Sequence, residues 1–268
     1  MRTNKFFTFI ILFFIFIFTG VVFASNYYTK DFSKNIDFRS NGDIRVKTVN
    51  GKIDITSWDR ESVKIEAEIK VKARNRRDAE RILDKVKIII DKSSGRLVIE
   101  ADYPKKRGDD SFWDGLFGSN RQHPVINYTI KVPKESNLDL RSTNGHISVS
   151  DVSGDNSLST TNGGIDADDM AGSLDIHSTN GSVTAVVTKF GNRDNIRLKT
   201  TNGGVKLRLP SDVSADVSAS TVNGSIRTDF PLTIQGKIMK RKIKGEINGG
   251  GGEIDISTVN GSVKIYEL

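Results

Sequence analysis

The chain has 268 residues, of which 36% are hydrophobic, and it contains 24 Gly, 5 Pro and no Cys. Because Cys is absent, disulfides, thiolate catalysis and a lipid-modified cysteine anchor are excluded. Lys and Arg outnumber Asp and Glu by 40 to 33, a formal net charge of +7. Such a surface is expected to attract anionic envelope components, such as lipid headgroups or acidic polymers, or simply to keep a β-rich surface solvated.

The N-terminus has the pattern of an export signal. Arg2 and Lys5 precede an apolar run over residues 6–23, and Val22-Phe23-Ala24 is a small-residue cleavage signature. We therefore predict a signal peptide over residues 1–24, cleavage after Ala24, and a periplasmic, surface or secreted location. A retained N-terminal anchor is the alternative, because a run of about 18 residues is just long enough to span a bilayer. Residues 25–35 are predicted to be a tether, and export argues against a nucleic-acid partner.

The N-terminal half of the remaining chain, residues 36–135, combines strands with one helix. From Ile36 apolar and polar residues alternate, most cleanly over residues 63–71, which predicts strands with one buried face. Residues 75–86 change to a 3.6-residue period, so we expect a single short helix near one end of the fold. Residues 125–132 return to the strand pattern.

Residues 104–124 interrupt this regularity. Four large apolar side chains occur there among acids and glycines: Phe112, Trp113, Leu116 and Phe117. A loop of about 20 residues without periodicity is usually either functional or disordered. Two hypotheses follow: a flap that covers the first coils, and a contact surface for a partner or a membrane.

A short phrase, Ser or Thr, then Thr or Val, then Asn-Gly, dominates the rest of the chain. Its seven Asn-Gly pairs are Asn50-Gly51, Asn144-Gly145, Asn162-Gly163, Asn180-Gly181, Asn202-Gly203, Asn223-Gly224 and Asn260-Gly261. Ile or Val always follows two residues after the Gly, and alternating apolar residues precede the phrase. From Gly145 onward the copies are 18, 18, 22, 21 and 37 residues apart, which is typical of a solenoid. The interval of 37 predicts two periods with one degenerate coil.

Each Asn-Gly pair is expected to form a turn with positive φ, which Gly adopts freely and Asn tolerates. In a parallel β-solenoid, equivalent turns stack about 4.8 Å apart, so the asparagines can hydrogen bond in a ladder. The phrase is therefore interpreted as structural, and the fold as all-β. Because Asn-Gly is also the strongest hairpin signal, an antiparallel β-sandwich of hairpins is the alternative.

The C-terminal region contains one late irregularity, residues 231–252. It carries five cations, Lys237, Lys240, Arg241, Lys242 and Lys244. This segment is interpreted as an exposed strand with a flexible turn, or as an anion-binding strip. The last strand, residues 263–266, is expected to form an uncapped edge, which predicts self-association through the solenoid ends.

Catalytic and metal chemistry find little support in the sequence. The best acidic cluster for glycoside hydrolysis is Asp166, Asp168, Asp169 and Asp175. Asp166 and Asp168 would point outward from one coil, but neighbouring coils have no matching acids. Residues 249–255 contain one Gly-rich copy without the Ca²⁺-ligating Asp, and His123, His146 and His177 occupy non-equivalent positions. We therefore predict a non-enzymatic protein without cofactor or metal, and keep a carbohydrate-active β-helix enzyme as a distant alternative.

Four features occur together: a signal peptide, the motif T-V-N-G-x-I-x-I followed by Trp58, a mixed segment, and S-T-N-G-x-I-x-V coils. This combination resembles the bacterial putative adhesin family of β-strand-repeat proteins. The resemblance extends from Ile36 to the C-terminus. It implies a right-handed parallel β-helix in the cell envelope and transfers no catalytic residues. We therefore expect one solenoid domain, residues 36–268, with its repeat coils over residues 136–268. It would act as an adhesin or envelope binding module for protein or carbohydrate, or alternatively as an envelope scaffold.

Overall fold

A computed structural model describes residues 27–102, 124–234 and 241–268. Within them, two ten-stranded sheets face each other. Sheet A contains, in spatial order, β1 (Tyr27–Asp37), β4 (Ser62–Lys72), β7 (Val125–Pro133), β3 (Ile53–Trp58), β9 (Ile147–Ser150), β11 (Ile165–Ala171), β13 (Val183–Lys189), β15 (Val205–Leu209), β20 (Val263–Glu267) and β17 (Ile226–Thr228). Sheet B contains β18 (Lys242–Ile247), β16 (Ala215–Asn223), β19 (Gly252–Asn260), β14 (Asn195–Asn202), β12 (Leu174–Asn180), β10 (Asn156–Asn162), β8 (Ser136–Asn144), β2 (Gly42–Asn50), β6 (Arg96–Asp102) and β5 (Lys87–Ser93). The helix is α1 (Arg76–Leu83).

Each repeat forms one coil, in which a strand of sheet B reaches the Asn-Gly corner and continues as a strand of sheet A. Neighbouring coils pair in parallel; Leu158 of β10, for example, is in register with Leu140 of β8 and Ile176 of β12. The prediction of an all-β, solenoid-like fold with one short helix is therefore confirmed. The alternative of antiparallel Asn-Gly hairpins is wrong, because the two strands that flank each corner belong to different sheets.

The core lies between the sheets and follows from the period-two alternation. Inward side chains such as Leu158, Ile176 and Leu198 are fully buried, as are Val149 and Val183. Each buried aliphatic side chain stabilises the fold by about 2 kcal/mol. Since every coil contributes the same few inward positions, the core continues from one coil to the next.

Coils do not stack in chain order throughout. The last coil, β19 and β20, lies between the coil of β14 and β15 and the coil of β16 and β17. Asn260 is consequently in register with both Asn202 and Asn223. The predicted degenerate coil within the 37-residue interval is wrong. The chain instead forms the antiparallel strand β18 on the outer side of β16. It then returns as β19, which lies between β16 and β14.

The corner is held by two sets of hydrogen bonds between coils. In every coil after the first, the Asn Nδ2 donates to the Asn Oδ1 of the preceding coil in the stack at 2.8 Å. The order is Asn50, Asn144, Asn162, Asn180, Asn202, Asn260 and Asn223. Two residues before the Asn, a buried hydroxyl donates to the glycine carbonyl of the neighbouring coil; Thr200 Oγ1, for instance, lies 2.8 Å from the Gly181 oxygen. The repeated Ser/Thr and Asn therefore connect one coil to the next.

Close backbone approach explains the repeated glycine. A Cβ built on Gly163 or Gly203 would lie 2.1 Å from the carbonyl oxygen of the glycine in the adjacent coil, and one on Gly145 would lie 1.8 Å from it. The prediction that each corner requires positive φ is wrong. Among the corner residues, only Gly51 has a positive φ, of 123°. The corner position requires glycine because the carbonyl oxygen of the adjacent coil's glycine occupies the space that a Cβ would need.

At the N-terminal end of the stack, antiparallel strands and α1 close the fold. β4 pairs antiparallel with β7 and with β1. Asn75 caps α1 by accepting a hydrogen bond from the Asp78 amide, and the helix buries Ala79, Ile82 and Leu83. The helix is thus shorter than the predicted residues 75–86. The predicted tether over residues 25–35 is wrong for its described part, because β1 begins at Tyr27 and packs half-buried apolar residues against the core.

At the C-terminal end, β18 borders sheet B and the three-residue β17 borders sheet A. The last strand, β20, lies between β15 and β17. The prediction that residues 263–266 form an exposed final edge is therefore wrong, and so is the premise for association through that edge. Phe230 is buried beyond β17, and Thr233 bridges to Glu246 of β18.

Several predicted features lie outside the described residues. They are the signal peptide over residues 1–24, the loop residues Phe112, Trp113, Leu116 and Phe117, His123, and the cations Lys237 and Lys240. In the described ranges, no helix has both the length and the apolarity needed to cross a bilayer.

A matched pair of glycines tests the corner. Gly203→Ala places a Cβ 2.1 Å from the Gly181 oxygen, whereas Gly204→Ala, one residue later, places it 3.3 Å from the Ser262 oxygen. We expect Gly203→Ala to lower the free energy of unfolding by about 3 kcal/mol or more, and Gly204→Ala by less than about 1 kcal/mol. Urea denaturation followed by circular dichroism measures both. Equal losses would show that corner stacking does not limit stability.

Candidate functional site

The outer face of sheet B carries a regular row of β-branched side chains beside the asparagine ladder. Each coil contributes the residue immediately before its ladder Asn. This hydroxyl row consists, in stacking order, of Val49, Thr143, Thr161, Thr179, Thr201, Val259 and Val222. Its valines are 40–53% exposed, so their methyl groups reach the surface beside the threonine hydroxyls. The row therefore presents four hydroxyls and seven methyl-bearing side chains along the stacking axis.

Charged residues beside this row hold neighbouring coils together. Asp139 of β8 accepts hydrogen bonds from Arg45 Nε of β2 at 2.7 Å and from Arg141 Nε at 2.8 Å. Partial burial acts to raise the pKa of Asp139. The hydrogen bonds from Arg141 and Arg45, with their positive charges, outweigh that effect and hold the pKa below its ordinary value.

The acidic cluster considered for catalysis does not converge. Asp166, Asp168 and Asp169 lie on β11 in sheet A, whereas Asp175 lies on the outer face of sheet B. Asp166 lies 3.2 Å from His146 Nε2, and Asp169 accepts a hydrogen bond from Thr188 Oγ1 at 2.6 Å. All four acids are exposed on flat surfaces. This arrangement does not bring two carboxylates to the opposite sides of a substrate cleft, as glycoside hydrolysis requires.

The two described histidines are also apart, His146 on the outer face of sheet A and His177 on that of sheet B. Within the described part of the chain, no group of three or more His, Cys, Asp or Glu side chains could hold a metal ion.

Of the predicted C-terminal basic cluster, Arg241, Lys242 and Lys244 are described, and all three are exposed. Lys242 and Lys244 line an open cleft of about 860 Å³ whose other residues include Asp216, Glu253 and Asp255. Because four acids and only two lysines line this cleft, it does not form a uniformly cationic strip. Its mixed charge is better suited to a hydrated surface than to an anionic polymer.

A smaller cleft of about 410 Å³ surrounds Trp58, which lies at the end of β3. The indole Nε1 donates to the Ser62 carbonyl at 2.7 Å. The Arg60 guanidinium lies 5.0 Å and the Lys131 ammonium 5.9 Å from the ring centroid. These cation–π contacts orient the ring and occupy space above it, so Trp58 is mainly a structural anchor.

Residues 33–266 match the family described as Toastrack DUF4097. The chain belongs to this family. The resemblance to adhesin-like β-strand-repeat proteins is thereby confirmed. A search of curated proteins gives no match.

The chain is also similar to solved structures. One is described as a putative cell adhesion protein from Clostridium sporogenes; it shares 13% sequence identity, with a TM-score of 0.53 over 90% of this chain and 100% of the other. A second, described as a putative adhesin from Bacteroides fragilis, shares 13% identity with a TM-score of 0.34, over 89% and 97% of the two chains. At such identity, the first similarity is one of fold alone.

The Arg45–Asp139–Arg141 contact makes part of the stability of this Toastrack solenoid depend on pH. Because the pKa of Asp139 is lowered in the folded state, its contribution is present above the unfolded carboxyl pKa, about 3.9, and is lost as the pH falls through the folded value. We expect Asp139→Asn to cost about 1 kcal/mol at pH 7 and progressively less below about pH 4.

Urea unfolding at several pH values measures this difference. Asp155→Asn is the control, because Asp155 is exposed and its carboxylate accepts no hydrogen bond from the described residues. A cost for Asp139→Asn that does not change with pH would contradict the assignment.

Proposed function

We propose that the protein is a non-enzymatic, exported adhesin-like module that binds an extracellular or envelope carbohydrate along the hydroxyl row. The single observation that carries the proposal is the row itself. Its members are exposed or half-buried, and the row repeats once per coil at the strand spacing of about 4.8 Å. A polymer of similar repeating units can make the same contact at successive coils.

The chemistry of the row suits a sugar chain. A threonine hydroxyl both donates and accepts hydrogen bonds, and its methyl group packs against the apolar faces of sugar rings. The adjacent ladder asparagines hold one another by hydrogen bonds. The neighbouring backbone is therefore ordered before binding, which lowers the entropic cost of association.

A non-enzymatic role is supported by the shape of the surface. The acids Asp166, Asp168 and Asp169 lie on one face and Asp175 on the other. Flat, periodic surfaces favour extended contact over enclosure of a reacting bond. The solved structure from Clostridium sporogenes is described as a putative cell adhesion protein, which agrees with this proposal.

Export is part of the proposal and rests on the N-terminal pattern of Arg2, Lys5 and the apolar run that ends at Ala24. Cleavage after Ala24 would remove Arg2 and Lys5 and leave a formal net charge of +5 (7 − 2 = 5), which would favour residence beside anionic envelope components. Right-handed winding of the coils, which the family resemblance implies, also stays a prediction.

Binding to a printed glycan array and to insoluble cell-wall polysaccharide tests the role of the row. Thr161→Lys with Thr179→Lys puts two long charged side chains at its centre. Since both threonines point away from the core, we expect at least about 10-fold weaker binding with an unchanged circular dichroism spectrum.

The control is Thr29→Lys with Thr129→Lys, which makes the same chemical change at exposed positions on sheet A and should leave binding intact. Wild-type protein that binds no glycan but captures a matrix protein would overturn the carbohydrate assignment. Equal binding by the row variant would exclude the row.

A further inference from the structure

The outer face of sheet A reverses its charge along the stacking axis. The residue three positions after each corner glycine points outward, and the register places these residues side by side. In stacking order this first column is Asp54, Ser148, Asp166, Thr184, Lys206, Lys264 and Arg227. The charged residues of this column are acidic before Thr184 and basic after it.

A second column, two residues further along each strand, repeats the reversal. It consists of Thr56, Ser150, Asp168, Val186, Arg208 and Tyr266. Because β11 has a bulge at this position, both Asp168 and Asp169 lie beside Val186. The uncharged residues Thr184 and Val186 of β13 therefore separate Asp166 and Asp168 from Lys206 and Arg208. Asp229, which lies beside Tyr266 just after β17, is an acid beyond these basic residues.

The basic half is costly for the isolated chain. Lys206, Lys264 and Arg227 are direct neighbours in register, and like charges in such positions are destabilising. No ion pair among the described residues involves these three side chains or Arg208; the Lys206 ammonium instead lies 5.9 Å from the Tyr266 ring centroid. Folding does not explain this arrangement, whereas an opposite charge supplied from outside would.

We propose that a second copy of this chain supplies that charge, through a two-fold dimer in which the outer faces of sheet A meet. The two-fold axis runs parallel to the strands at β13. This symmetry inverts the stacking order but preserves position along the strand. Asp166 then faces Lys206 of the second copy, Asp168 faces Arg208, and Asp54 faces Arg227, while Thr184 and Val186 face their own equivalents. Each charge pair occurs twice, as in any isologous interface.

The rest of the face permits this approach. The positions beside the first column, directly after the corner glycines, are small at the centre: Gly164, Ser182, Gly204 and Ser262. Thr184 and Val186 are only half-buried in the single chain. Within one copy Asp166 stays available, because it is exposed and lies beside the exposed His146. Asp54 is half-buried and paired with Lys52, so Arg227 of the second copy would share that carboxylate.

An anionic polymer would also neutralise the four cations. It would not account for acids at the mirrored positions on the same face, and Asp166 and Asp168 would repel it. The second copy accounts for both halves with one contact. We therefore assign the face to self-association and leave polymer binding as an outcome of the experiment.

Analytical ultracentrifugation of the full chain, purified after expression with its own N-terminus, tests the dimer. We expect a monomer–dimer equilibrium at low ionic strength. In about 1 M NaCl, where the Debye length is about 3 Å, the protein should be monomeric. A monomer at every concentration and salt level would overturn the proposal.

Charge reversal makes the test specific. Asp166→Lys with Asp168→Lys places basic residues on both sides of β13 in both columns, and Lys206→Asp with Arg208→Asp places acidic residues there. Each variant alone should dimerise at least about 10-fold more weakly, because like charges meet. An equimolar mixture should form a heterodimer, and all four changes in one chain should restore the homodimer.

Arg197→Asp with Lys244→Asp is the control, since it makes the same change of net charge on sheet B. It should dimerise like the wild type. Circular dichroism and the urea midpoint verify folding of every variant. Failure of the mixed variants to associate, with each still folded, would exclude the paired faces. If Lys206→Asp with Arg208→Asp instead abolished binding to soluble polyphosphate without changing the oligomeric state, the face would be an anion site.

Discussion

The structure depends on the approach of one corner glycine to the next. At Gly163 and Gly203 the space for a side chain is already filled by the carbonyl oxygen of the neighbouring coil. This contact brings the asparagines to 2.8 Å from one another and the buried hydroxyls of Thr160 and Thr200 within reach of glycine carbonyls. The same contact keeps equivalent residues of successive coils in register. Outer faces on which equivalent residues of successive coils lie side by side are its consequence.

Sequence periodicity was sufficient to predict the local structure of each coil. Alternation around residues such as Leu158 and Ile165 predicts a strand on either side of a corner, and the constant phrase predicts stacking. The order of the coils was not predictable, because equivalent corners are interchangeable: Asn260 fits between Asn202 and Asn223 as well as it would fit after Asn223. A local pattern contains no information on which neighbour a coil selects. In the structure β18 pairs with the outer side of β16, so the position beyond β16 in sheet B is already occupied.

The surfaces were predictable to different degrees for the same reason. The hydroxyl row follows directly from the phrase, since the residue before each Asn must alternate outward. The charge reversal on sheet A involves residues that are equally visible in the sequence, such as Asp166 and Lys206. Taken one coil at a time, however, they resemble unrelated surface charges. Their meaning appears only when the register sets Asp166, Thr184 and Lys206 side by side.

The two faces can therefore serve different purposes without competing. Thr161 and Thr179 point outward from sheet B, whereas Asp166 and Lys206 point outward from sheet A, so pairing through sheet A leaves both hydroxyl rows open on opposite sides of the dimer. Two rows on one particle can engage two chains of a surface polymer. The second contact then becomes intramolecular, so avidity exceeds the affinity of one row without any new contact. Weak individual contacts, which a row of threonines would provide, are then compatible with firm attachment.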